Sequence, residues 1–205
     1  MRTAAPSALL AACLAVPAGA QFHRAEQDRE ITYWLLEPDT HRFRISHDFT
    51  VTRAGQASVH SFVRKGSTVT EARMADLDTG QDLKTHNVTG REVNALGYYP
   101  DKSDDDTVVV QGDLPRPLAA GESARVRVSE TYMDAERYGI KDGALTWDRT
   151  LGRPLNTVVL PPGWMLRSVS VPAVVSLDGE GRVACRFINP RNDELHVVLT
   201  AVRRP

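Results

Sequence analysis

Two stretches of this chain alternate strictly between apolar and polar positions. From Arg42 to Arg53, residues Phe43, Ile45, His47, Phe49 and Val51 fall on one side. Arg42, Arg44, Ser46, Asp48 and Thr50 fall on the other. From Ala124 to Tyr132, residues Ala124, Val126, Val128, Glu130 and Tyr132 oppose Arg125, Arg127, Ser129 and Thr131. A period of two predicts strands with one buried face. Shorter β-branched or apolar runs follow at 31–36, 58–64, 69–77, 83–88, 107–111, 144–150, 157–160, 165–171, 174–177, 182–189 and 195–202. Turn signals separate them, among them Asp78-Thr79-Gly80-Gln81, Pro161-Pro162-Gly163 and Asp178-Gly179-Glu180-Gly181. Residues 90–99 are weakly patterned, and 134–142 reads as a polar turn region. Helical periodicity is nearly absent.

The pattern predicts an all-β fold, an antiparallel β-sandwich of about a dozen short strands over residues 31–205. The Pro- and Gly-rich segment 112–121 marks where a second sub-lobe would begin. One sandwich is the expectation, because β-sandwiches of this length form single domains.

The first residues change the picture of location. Arg2 supplies a small positive region, Ala8 to Val16 an apolar stretch, and Ala18-Gly19-Ala20 a small-residue cleavage signal. Residues 1–20 therefore read as a signal peptide and 21–30 as a polar N-terminal arm, which places the mature protein in the periplasm or outside the cell. Leu10-Ala11-Ala12-Cys13 also matches a lipid-anchor signal at Cys13. The apolar run continues past that cysteine, which favours cleavage after Ala20. Cys185 is then the only cysteine left, so the core must hold the fold without a disulfide. No later stretch is long and apolar enough for a membrane helix. The formal charge of −1 offers no field for nucleic acid.

Candidate chemistry is sparse. The six histidines show no metal-ligand spacing. His47 and Glu130 are the ionisable residues on the apolar sides of the two clear strands. If those strands are neighbours, the two form a buried pair, either a structural bridge or a proton-transfer couple. Asp101, Asp104, Asp105 and Asp106 form an acidic loop that offers oxygens to calcium, but it lacks the glycine and closing glutamate of an EF-hand. A solvated loop tip is the plainer reading. Serines occur without a G-x-S-x-G elbow, and there is no phosphate loop or dinucleotide fingerprint, so no cofactor is implied. Among the aromatics, Trp34, Trp147, Trp164 and the pair Tyr98-Tyr99 are candidates for a sugar-stacking platform, against the alternative that they pack in the core.

The run N-T-V-V-L-P-P-G-W-M-L-R-S-V-S-V-P, with L-D-G-E-G-R-V, F-I-N-P and A-D-L-D-T-G-Q-D-L, resembles exported bacterial β-sandwich proteins. More distantly it is similar to the β-rich N-terminal domain of zinc aminopeptidases. The resemblance implies a fold. In those enzymes the β domain helps bind the substrate's N-terminus, while zinc and its H-E-x-x-H motif belong to a separate domain. This sequence contains no H-E-x-x-H.

Three functions remain open at this level. The first is a non-enzymatic module that binds envelope proteins or its own copies through sheet edges. The second is a carbohydrate-binding module. The third is a metal-dependent hydrolase built on His47, Glu130 or the acidic loop.

Overall fold

The two alternating stretches lie side by side. β2 (Arg42–Val51) and β7 (Ala124–Met133) pair antiparallel along their whole length, with Phe43 opposite Tyr132 and Phe49 opposite Val126. The computed structural model describes residues 29–190 and 193–205. The predicted leader 1–20, Cys13 and nearly all of the arm lie outside the described residues.

The remaining strands follow in chain order. They are β1 (Glu30–Leu35), β3 (Ser58–Phe62), β4 (Thr68–Asp76), β5 (Gln81–Thr89) and β6 (Val108–Asp113). After β7 come β8 (Tyr138–Lys141), β9 (Ala144–Leu151), β10 (Leu155–Val159), β11 (Trp164–Val169), β12 (Val174–Leu177), β13 (Val183–Ile188) and β14 (Leu195–Arg203). Besides a short 3-10 turn at Pro38–Thr40, the described residues hold one α-helical segment, α1 (Gly90–Ala95), in the weakly patterned stretch. Thr89 and Glu92 cap it reciprocally, each bonding the other's backbone N–H.

Strands join in the order β12-β13-β10-β1-β2-β7-β4-β5-β6-β3 to make one long sheet, which stays open with edges at β12 and β3. A second sheet, β11-β14-β9-β8, packs against part of it. The all-β sandwich is therefore as expected, with two departures. One pair is parallel: β1 runs alongside β10, with Tyr33 opposite Val158. The region expected to be a polar turn contains β8, where Tyr138 is fully buried and its hydroxyl donates to the Leu36 carbonyl.

Two apolar clusters hold these layers. The larger fills the space between the two sheets with Tyr33, Phe43, Tyr138, Trp147, Trp164 and Phe187. Cys185 is buried there, and burial pushes its thiol up to about 11, so it stays protonated. Arg149 of β9 also points into this layer. Its guanidinium lies 4.9 Å from the ring centre of Phe43 and 5.4 Å from that of Tyr132. The smaller cluster forms where the far half of the long sheet curls over itself, joining Phe49, Val59, Met74, Leu83, Val110 and Val126. Leu114 and Leu118, from the 112–121 segment, are buried in this second cluster.

Candidate functional site

Polar residues that alternate away from the core gather on the open face of the long sheet. Trp34 of β1 stands opposite Arg44 of β2, Arg44 opposite Thr131 of β7, and Asp48 opposite Arg127. Trp34, Arg44, Arg127 and Thr131 line a groove of about 850 Å³ that crosses β1, β2, β7 and β4. Pro161, Pro162 and Arg182 close one end and Glu71 the other.

Several of its side chains are fixed before any ligand arrives. Asp48 accepts two hydrogen bonds from Arg127, at 2.7 and 2.6 Å. Thr131 donates its hydroxyl to Glu71 at 2.7 Å. Glu71 sits at a bulge where β4 slips register between Thr70 and Arg73, and its φ of 56° is rare for a residue with a side chain. The bulge turns the Glu71 carboxylate towards Thr131. Arg44 is exposed and has no hydrogen-bond or ion-pair partner among the described residues.

The sequence-predicted residues are distributed as follows. His47 and Glu130 lie on neighbouring strands and the same face, but in diagonal register: His47 faces Val128 and Glu130 faces Ile45. No hydrogen bond joins them. The His47 ring lies 4.7 Å from that of Phe49, and its Nε2 has no partner among the described residues. Burial, with Arg153 and Arg29 nearby, pushes His47 down to about 3, so it is neutral. Burial pushes the Glu130 carboxyl up, and a hydrogen bond with Ser61 opposes that shift in part. Glu130 Oε1 has no partner among the described residues.

Asp101, Asp104, Asp105 and Asp106 are all exposed. Asp105 takes a hydrogen bond from Arg91 at 3.1 Å, and the backbone of the loop braces α1 through Gly90 and Arg91. Among the described residues no three His, Cys, Asp or Glu side chains converge as metal ligands.

Tyr98 and Tyr99 fold back onto β3. The Tyr98 hydroxyl accepts from the Ala57 N–H at 3.1 Å, and the Tyr99 hydroxyl meets His60 Nδ1 at 3.2 Å. The Tyr99 ring also packs edge-on against Phe62. Gln111 donates to Asp113, which leaves its carbonyl oxygen to accept from His60 Nε2 at 3.1 Å. His60 is thus a neutral ring with both nitrogens engaged, and burial holds it below its ordinary value. It is not free to act as a base on Ser58, 3.4 Å away. Trp164 is buried in the larger cluster, with Arg203 over its ring at 5.0 Å. Of the tryptophans, Trp147 and Trp164 are core residues and Trp34 alone reaches the groove.

The alternation in β2 and β7 marked Arg44, Ser46, Asp48, Arg127, Ser129 and Thr131 as outward-facing, which was the available signal for the groove. Glu71 gave none, since nothing in its neighbourhood announces a left-handed residue.

No family profile matches the chain, and no curated protein matches it. Solved structures with a similar course do exist. An M1 zinc metallopeptidase from Deinococcus radiodurans is 14% identical, with a TM-score of 0.48 over 85% of this chain and 41% of that one. An aminopeptidase N family protein from Idiomarina loihiensis is 11% identical, with a TM-score of 0.46 over 84% of this chain and 29% of that one. The fold resemblance read from the sequence thus recurs in the structures, at a level that carries no activity with it. The chain spans about 41% of the length of the first of these proteins.

Proposed function

We propose that the protein is an exported, non-catalytic β-sandwich that assembles with copies of itself along the β12 edge of its long sheet. The observation that carries this reading is the edge itself. β12 contains no charge and no proline, and Val174, Val175 and Leu177 are 59%, 51% and 63% exposed. Natural edge strands are usually blunted by charge, proline or a cover, because their free N–H and C=O groups recruit other strands. Among the described residues β13 is the only strand hydrogen-bonded to β12, and no described strand pairs with its outer edge.

Register makes a second copy a good fit. Val175 and Leu177 stand opposite Cys185 and Val183, so they extend the core side of the sheet beyond the core. An antiparallel pair of β12 strands about a two-fold axis at Ser176 sets Val175 of each copy opposite Leu177 of the other. Envelope proteins with a free edge strand offer the same chemistry. The non-catalytic part of the reading is supported by the engaged nitrogens of His60 and by the separation of His47 from Glu130. The export part is supported by the cleavage pattern before Gln21.

Light scattering on the mature chain tests the proposal. The wild type is expected to dimerise with rising concentration, and Leu177→Lys to stay monomeric with an unchanged circular dichroism spectrum. A wild type that is monomeric up to its solubility limit and captures no envelope protein refutes it.

A further inference from the structure

The groove on the open face points to a second, separate role: we propose that it binds a neutral oligosaccharide, with Trp34 as the stacking platform. Four observations converge on that ligand class. First, β4 at the rim pairs with β5 only from Met74 to Asp76, but the floor itself is β1, β2 and β7, each paired on both sides, so its backbone groups are consumed by neighbouring strands. A ligand here must be read by side chains, which disfavours an extended peptide that binds by adding a strand. Second, Trp34 is half-buried and lines the groove beside Pro161 and Pro162, giving an apolar plate for the C–H faces of a sugar ring.

Third, the polar groups suit hydroxyls, which donate and accept at once. Guanidinium donors on Arg44, Arg127 and Arg182 stand among carboxylate acceptors on Glu37, Glu71 and Glu180. The two signs balance, so a strongly anionic ligand meets carboxylates and a cationic one meets guanidiniums. Fourth, the groups are held in place in advance. Asp48 clamps Arg127 through two hydrogen bonds, and a left-handed residue at the β4 bulge aims Glu71 at Thr131. Backbone in a sparsely populated conformation persists where its surroundings over-determine it, and such residues cluster at ligand sites. A volume of about 850 Å³ lies in the range of ligand sites and suits several linked rings better than one.

The test uses the intact chain with three glycan probes: hydroxyethyl cellulose and soluble starch in affinity gels, and chitohexaose by tryptophan fluorescence. At least one probe is expected to retard the protein or shift its emission. Trp34→Ala is expected to lose about tenfold or more of that affinity, Trp34→Phe to keep part of it, and Arg44→Ala to lose severalfold. Thermal melts of each variant separate loss of binding from loss of fold, because the Phe variant keeps the plate while the Ala variant removes it. The monomeric Leu177→Lys variant is expected to bind the same glycan unchanged, so this site stands or falls apart from the β12 edge. Failure of all three probes overturns the proposal. So does undiminished binding by a folded Trp34→Ala, or an emission shift produced by casein peptides and by none of the glycans.

Discussion

Arg149 and Asp134 form an ion pair between the two sheets, with Nη1 and Oδ2 3.4 Å apart and side chains only 7% and 0% exposed. Asp134 also accepts from Arg137 and from the Ser67 hydroxyl, and the Arg149 guanidinium lies against Phe43, Tyr132 and Tyr33. Burial lowers the Arg149 pKa from its ordinary value. A buried charge that loses its partner keeps its desolvation cost and loses the compensating attraction. Asp134→Ala is therefore expected to destabilise the fold by about 3 kcal/mol or more in urea melts. Arg137→Ala removes a more exposed partner and should cost clearly less.

His47 and Glu130 are expected to tilt stability with pH in opposite directions. The folded-state pKa of His47, about 3, lies below its unfolded value of roughly 6.5. Its contribution is full above that unfolded value and is lost as pH falls towards 3. Glu130 is raised above its unfolded value, so its contribution is full below about 4.3 and is lost as pH rises through the folded pKa. Denaturant melts at several pH values should show His47→Leu flattening the acid limb. Glu130→Gln should gain on the wild type as pH rises from 4 to 8.

Gly112 lies in the middle of β6 between β3 and β5, opposite Val59 and Thr85. A Cβ there would stand 2.5 Å from the Met74 Sδ, 3.2 Å from the Met74 Cβ and 3.3 Å from a Val59 methyl. Met74 can swing its sulfur away, but Val59 is fully buried and cannot yield freely. Gly112→Val is expected to destabilise by about 1–3 kcal/mol, and Gly112→Ala by less, in the same melts.

Trp164→Ala is expected to cost about 3–5 kcal/mol, the range for emptying an aromatic core site. The same change at an exposed platform would cost little. Calorimetry on the purified variant reads the difference directly.

Much of the architecture was legible in the sequence, because each strand with one buried face writes its own period. β2 and β7 announced themselves that way, down to the inward placement of His47 and Glu130. Their adjacency was not legible, since register depends on contacts made far along the chain. β8 was missed because its four residues sit among polar turn signals and only Tyr138 and Gly139 are buried. α1 carried a readable Thr89-x-x-Glu92 cap, yet six residues are too few to show a helical period. Gly112 reads in sequence as punctuation; in the fold it lets three strands approach closely. The groove was half-visible: its polar rows follow from alternation, while the bulge at Glu71 and the exposure of Trp34 depend on how the sheet twists and curls.

The parallel pairing of β1 with β10 has a consequence for the order of folding. β12, β13 and β10 join the rest of the long sheet through β1 alone. β1 must therefore wait for Leu155–Val159 before its second edge is filled. Closing so wide a loop makes the central seam a late event. Until then β1 and β10 both present unsatisfied edges, and the two parts of the long sheet remain unjoined. Removing the residues up to Leu35 would leave two half-sheets with no strand to stitch them.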